Sequence, residues 1–288
     1  MSLFDNVQTA RHLQEREDLA KLEDDWLIDT LVPSSQAGIL VAPMKSYKSS
    51  MAMQMALDVS QGLPWFGFKT KQSKTLYIDN EDTDRELNKR LRHKEKAPED
   101  LHFLTGGQFK LDNIEHMRLL SNYIKDNDIK FVIFDNLMTM LGNRDVIYSK
   151  EFQPLLDRIT KLKLYFQDVT FLLIAHANKN TYSQSMQEKD YAVNPADALG
   201  GSELSAWAEY MLMLSPKRGK HSDFSKLSVI ARGYIFEDDL NFSYVDNVFT
   251  CVNKSKKNLP LEINKETETT GEQFLELAKE EGKVTEVE

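Results

Sequence analysis

Ala37-Gly38-Ile39-Leu40-Val41-Ala42-Pro43-Met44-Lys45-Ser46-Tyr47-Lys48-Ser49 passes from an apolar run through a short turn to a lysine and a serine. Ser49 to Leu63 then reads as helix, with Met51, Met55 and Leu57 among its apolar residues. Strand, loop and helix in that order are the context a phosphate-binding loop needs. Such a loop converges backbone N–H groups on anionic oxygens at a helix N-terminus, with a lysine for the β- and γ-phosphates and a hydroxyl for magnesium. Ala42, Pro43, Met44, Lys45, Ser46, Tyr47, Lys48 and Ser49 supply that layout, Lys48 as the phosphate lysine and Ser49 as the magnesium ligand. Both defining glycines are replaced, the first by Ala42 and the second by Tyr47. Alanine is a mild change. Tyrosine costs about 1–3 kcal/mol if its φ is positive. An ordinary turn containing a lysine explains the segment equally well, so the decision rests on residues elsewhere.

Three other strand ends supply them. Phe131-Val132-Ile133-Phe134-Asp135 is an apolar strand closing on a carboxylate, the form in which an aspartate holds hydrated magnesium at the C-terminal edge of a sheet. Leu76-Tyr77-Ile78-Asp79-Asn80-Glu81-Asp82 ends in acids and places Glu81 where a general base polarises an attacking water, with Asp79 and Asp82 as competitors. Phe171 to Lys179 ends in His176 and Asn178, where the imidazole is placed to sense a γ-phosphate or simply closes a solvated strand. Polar strand ends gathered at one edge, beside a lysine-serine helix start, are what an α/β nucleotide site demands.

The pattern continues on both sides of these segments. Strands at Thr75–Ile78, Leu101–Thr105, Phe131–Phe134 and Thr170–Ala175 alternate with helices at Arg85–His93, Ile114–Asp126 and Phe152–Gln167. This alternation predicts an α/β fold with a mostly parallel sheet and helices on both faces. From Tyr210 strand follows strand (Tyr210–Leu214, Leu227–Ala231, Asn241–Asp246, Val248–Val252), which predicts an antiparallel meander at one edge, turning at Arg218-Gly219 and Asp246-Asn247. Phe4 to Asp25, with Ala10, Leu13, Leu19 and Leu22 at helical spacing, reads as an amphipathic helix. Three regions follow: a helical arm at 1–25, a core at 26–254 and an acidic, flexible tail at 255–288 containing one candidate helix, Gly271–Glu281. Asn178 to Gly201 is polar, without periodicity, and reads as a mobile functional loop.

Bulk properties set limits. The 288 residues suffice for one large α/β domain with additions. The longest apolar runs fall far short of the roughly 20 residues of a bilayer span, and the N-terminus lacks a secretory layout, so the expectation is a cytoplasmic protein without a membrane role. A lone Cys251 excludes an internal disulfide and a multi-cysteine zinc site. With 45 acidic and 36 basic side chains the net charge is −9, so no global positive field draws the chain onto nucleic acid. The basic run Arg85, Lys89, Arg90, Arg92, His93, Lys94, Lys96 reads as a solvated helix face.

Several of these stretches together resemble a known family. Asp25-Trp26-Leu27-Ile28 through Leu31-Val32-Pro33, the loop Ile39 to Ser49, and Gly62-Leu63-Pro64-Trp65-Phe66-Gly67 are similar to the opening of RecA-like P-loop ATPases of the plasmid RepA replicative-helicase type. Lys45 fits the lysine-serine-glycine-lysine loop frequent in that group. The likeness continues through Leu76 to Asp82, Phe134-Asp135-Asn136-Leu137, His176-Ala177-Asn178-Lys179 and Gly200-Gly201-Ser202, about three quarters of the chain.

The resemblance implies ATP and Mg2+ as ligands, Glu81 as catalytic base, Asp135 as magnesium aspartate and His176 as the sensor coupling hydrolysis to the following loop. It also implies a homo-oligomer, a ring or filament with a hexamer as the ring form, whose sites lie between subunits and are completed by a neighbour's basic residue. Arg232 matches the family's late strand-end arginine, with Lys217 and Arg218 as rivals. The loop Asn180 to Leu199 would face the ring channel and single-stranded DNA, offering Lys189, Tyr182 and Tyr191. The expected function is an ATP-driven motor acting on DNA in replication or recombination of a mobile element, with replication proteins as further partners. A nucleotide-binding scaffold or loader, or a regulator that does not touch DNA, is the alternative; Tyr47 and the acidic balance motivate it.

Overall fold

The computed structural model describes residues 7–16, 25–92, 97–141, 149–178, 192–198, 201–216, 224–232, 239–245 and 248–253. The chain begins there with a short helix, α1 (Ala10–Gln14), which buries none of its residues. A two-stranded ribbon, β1 (Trp26–Ile28) and β2 (Val32–Pro33), precedes β3 (Ala37–Ala42) and α2 (Lys48–Gln61). Then come β4 (Thr75–Asp79), α3 (Asp84–Leu91), β5 (Leu101–Leu104), α4 (Ile114–Asn127), β6 (Phe131–Asp135), α5 (Ser149–Tyr165) and β7 (Thr170–His176). After α6 (Gly201–Trp207) the chain closes with β8 (Tyr210–Pro216), β9 (Phe224–Ala231), β10 (Leu240–Val245) and β11 (Val248–Asn253).

Among the described residues β3 to β11 form one sheet in the order β11-β10-β9-β8-β3-β7-β6-β4-β5. The strands from β5 to β8 pair in parallel, while β8, β9, β10 and β11 pair antiparallel as the expected edge meander. β3 is interior, so all six of its residues are buried. Period-two alternation sends its side chains, and those of its neighbours, to two separate cores. Ile39, Val41, Ile78, Val132, Phe134 and Leu173 face the core that Leu120 and Ile124 of α4 and Leu156 and Ile159 of α5 complete. Leu40, Tyr77, Ile133, Leu172 and Leu212 face the other, which α2 covers with Met51, Met53, Met55, Ala56 and Val59.

Gly38 lies opposite Tyr210 in the β3–β8 pairing, and a Cβ built on it would sit 2.5 Å from the Tyr210 ring. That ring is fully buried and its hydroxyl donates to the Phe171 carbonyl at 2.9 Å. Only glycine lets β3 and this tyrosine pack together.

The expected elements occur with ends shifted by a few residues. The β1–β2 ribbon and α6 lie outside the sequence expectation. The expected helix Phe4–Asp25 is described only at 7–16 and at Asp25, where Lys71 makes a 2.7 Å ion pair with the carboxylate. Leu19, Leu22, His93, Lys94, Lys96, the turns at 218–219 and 246–247 and the whole stretch 254–288 lie outside the described residues. Within the expected mobile loop, residues 192–198 are anchored rather than loose. Val193 is buried and its N–H bonds Ser215 Oγ at 2.8 Å, and Ala198 bridges Ala177. Among the described residues no helix is long and apolar enough to cross a membrane.

Candidate active site

Parallel register decides which strand ends meet. Asp79 pairs with Asp135 across β4 and β6, and Ala42 pairs with His176 across β3 and β7, so the candidate residues finish at one edge of the sheet. The phosphate-loop candidate emerges at the same edge, directly after β3. Ser46, almost fully buried, closes the turn by donating its hydroxyl to the Pro43 carbonyl at 2.6 Å. Met44 and Lys45 point outward.

The two replaced glycines turn out to be unequal. Ala42 is the buried last residue of β3 and is not among the positive-φ residues, so alanine carries no conformational penalty there. Tyr47, at the N-cap of α2, has φ 61° and ψ 22°, and Lys45 has φ 59°. Left-handed backbone of this kind costs a side-chain-bearing residue about 1–2 kcal/mol. The demand for glycine is therefore real at 47, and tyrosine meets it. Its ring stacks on Tyr244 of β10, with centroids 4.1 Å apart.

Lys48 begins α2 and is buried. Burial lowers its pKa, opposed by the nearby carboxylates of Asp135 and Glu81. Asp135 ends β6 and is almost fully buried; Tyr77 of β4 donates its hydroxyl to Oδ2 at 2.6 Å. Oδ1 is buried without a hydrogen-bond partner. Burial pushes the Asp135 carboxyl up to about 6, further raised by Asp79 and held back by Tyr77, Ser49 and Lys48. A buried carboxylate oxygen with an open valence beside a serine at a helix start suits magnesium. That ion needs only one or two protein groups when phosphates and water complete its shell. No cluster of three or more His, Cys, Asp or Glu that could hold a metal by itself occurs among the described residues.

Glu81 stands on the loop between β4 and α3, and local hydrogen bonds set that loop. Asp79 Oδ1 accepts from the N–H groups of Glu81 at 2.8 Å and Asp82 at 2.9 Å, and Asp82 pairs with Arg90 at 2.7 Å. Both competitors for the base are thus engaged in holding the loop, while Glu81 remains exposed and its Oε1 accepts from Asn136 Nδ2 at 2.7 Å. Asn136 is fully buried, follows Asp135 through a cis peptide bond and also approaches His176 Nε2 at 3.4 Å. His176 is pushed down to about 4, first by burial and then by Lys48, so its ring is neutral at pH 7. Its Nδ1 is buried without a partner.

One sequence candidate stays apart. Arg232 follows β9, whose Ala231 pairs with Tyr210 at the start of β8, the sheet edge opposite the phosphate loop. Its guanidinium donates to the Ala206 carbonyl at 3.1 Å. Lys217 and Arg218, and Tyr182, Lys189 and Tyr191 of the expected channel loop, lie outside the described residues. Tyr77, Asn136 and Tyr244 are the site residues that sequence reasoning passed over. Tyr77 alternates with Ile78 on a buried strand and looks like core, and Tyr244 lies far along the chain. Only Asn136, directly after the candidate magnesium aspartate, carried a local signal.

A protein-family model described as an AAA domain matches residues 8–182. Among solved structures, an ATPase domain superposes with a TM-score of 0.63 at 11% identity, covering 86% of this chain and 100% of that one. The KaiC-like protein PH0186 from the hyperthermophilic archaeon Pyrococcus horikoshii OT3 gives 0.58 at 13% identity, covering 79% and 94%. No curated protein sequence matches the chain. At such identities the likeness is one of fold, and the fold is the RecA-like ATPase fold expected from the strand and helix order.

Proposed function

The chain belongs to the AAA domain family, and on that premise we propose that it is an ATP-hydrolysing RecA-like motor, a DNA helicase of the plasmid RepA type working as a ring on single-stranded DNA. The observation that carries the ATPase reading is the meeting of Lys48, Ser49 and the open Oδ1 of Asp135 at one sheet edge, with Glu81 held nearby by Asn136. The resemblance of the loop and strand ends to that helicase group supports the finer assignment. The three regions follow it: an arm at 1–25, the motor core at 26–254 and a tail at 255–288, in a cytoplasmic protein.

In this reading the backbone amides from Pro43 to Ser49 and the Lys48 ammonium bind the β- and γ-phosphates. Ser49 and Asp135 would hold Mg2+, which when bound offsets the charge of the phosphate oxygens. Glu81 orients a water and takes its proton as the water oxygen bonds the γ-phosphorus and the bond to the ADP oxygen breaks. Asn136 fixes where the Glu81 carboxylate points. Neutral His176 offers a nitrogen to the terminal phosphate and passes its position to the loop that follows. Arg232, at the far edge of its own sheet, serves a site only from another copy of the chain.

Lys48→Ala abolishes ATP hydrolysis and undiminished turnover sinks the site. Stimulation of turnover by single-stranded DNA in a ring-sized species supports the motor. The second reading, a nucleotide-binding scaffold, loader or regulator, is favoured by Tyr47, which stands in the left-handed position of the loop where glycine is expected. It predicts tight nucleotide binding with little turnover and no response to DNA.

A further inference from the structure

Tyr47 holds a left-handed backbone in the candidate phosphate-binding loop, a conformation that glycine adopts most cheaply. Its side chain finds its contacts outside the loop. Tyr47 makes no side-chain capping bond, and the residue is 48% exposed, so it is not held as a core residue. The ring lies instead on Tyr244, with a centroid separation of 4.1 Å and an interplanar angle of 33°. Tyr244 comes from the meander, at the end of β10 that the antiparallel pairing brings to the phosphate-loop edge of the sheet. Its hydroxyl bonds Ser50 Oγ at 3.2 Å, and Phe249 of β11 backs its ring at 4.5 Å. Tyr244 therefore grips both sides of Lys48 and Ser49, by ring contact before them and by hydrogen bond after them. The contribution of an aromatic pair is of the same order as the cost of the left-handed residue.

We propose that Tyr244 is a positioning residue for nucleotide binding: through the Tyr47 ring and the Ser50 hydroxyl it holds the loop in the shape that glycine would adopt unaided. The proposal rests on reading Pro43–Ser49 as the phosphate-binding loop. It makes the last strands of the core part of the nucleotide site, although they contribute no group to the phosphates.

The test is a double-mutant cycle on the full chain, read by calorimetric titration with ATP and magnesium. Tyr244→Ala is expected to weaken binding about tenfold, about 1.4 kcal/mol. Tyr244→Phe keeps the ring and is expected to lose less than about threefold, under 0.7 kcal/mol on the same scale. In a Tyr47→Gly background, Tyr244→Ala is expected to lose less than about threefold, the share of the Ser50 hydrogen bond, because glycine at 47 needs no ring support. An equal loss in both backgrounds shows that Tyr244 merely supports the fold and overturns the proposal, as does no loss in either. Amide exchange of Lys45 to Ser49 in the nucleotide-free chain gives an independent reading. Faster exchange in Tyr244→Ala but not in Tyr244→Phe supports the clasp, and unchanged exchange overturns it. A parent chain that binds no nucleotide sinks the ATPase reading, while the exchange measurement still decides the clasp.

Discussion

The Tyr77 hydroxyl donates to Asp135 Oδ2 at 2.6 Å across adjacent strands, leaving the other oxygen of the same carboxylate buried and open. One oxygen is fixed by the protein and the other has no hydrogen-bond partner. This fixes the direction in which the carboxylate acts, much as outer hydrogen bonds orient metal ligands generally.

Tyr77→Phe removes that bond while keeping the ring. Loss of a hydrogen bond to a charged group is expected to cost about 1.5–3 kcal/mol of stability. Magnesium-dependent ATP binding or turnover is expected to fall about 10–100-fold. Urea unfolding and a magnesium titration of turnover check both, and an unchanged magnesium requirement removes Asp135 from the metal site.

Two buried groups give opposite pH dependences. Asp135 is raised to about 6 in the folded chain, so the folded state holds its proton more tightly, and stability from this group falls as pH rises from about 4 to 6. His176 is lowered to about 4, so its buried neutral form loses stability as pH falls from 6.5 toward 4. In thermal melts, Asp135→Asn is expected to steepen the acid loss and His176→Gln to flatten it. Parallel pH profiles for both variants and the parent contradict this assignment. Below pH 6, magnesium-ATP binding is also expected to weaken as Asp135 takes up its proton.

Glu81→Gln leaves the loop hydrogen bonds of Asp79 intact, so nucleotide binding is expected to persist while turnover drops about 10²–10⁴-fold. Asn136→Ala releases the Glu81 carboxylate and is expected to lower kcat with little change in KM. Steady-state kinetics separate the two, and a glutamine variant with normal turnover shifts the base elsewhere.

Gly38→Ala forces a methyl against a fully buried ring. Overpacking of this kind costs about 1–3 kcal/mol. A lowered Tm is expected, and an unchanged Tm means that β3 and Tyr210 separate more easily than their hydrogen bonds suggest.

The fold was legible because β3, β4, β6 and β7 are apolar runs closed by polar residues, a pattern that buried parallel strands impose on any sequence. The shared edge of Lys48, Asp135, Glu81 and His176 followed from it. What stayed hidden depends on contacts between distant segments. No local pattern marks Tyr77 as a partner of Asp135, since a tyrosine in a buried strand reads as packing. The stack of Tyr47 on Tyr244 joins the start of the core to its end. Arg232 was legible as the end of a strand, but its edge was not, because that depends on β9 running antiparallel to β8.

The helix that carries Lys48 buries Met51, Met53 and Met55 in the core that it shares with the sheet. β3 beneath it is hydrogen-bonded to a neighbouring strand on both sides. Unbranched thioethers repack around small displacements more readily than branched side chains do. The joint between strand and helix is therefore more compliant on the helix side than on the sheet side, so a displacement at the start of α2 is expected to be absorbed by repacking its methionines rather than by bending the sheet.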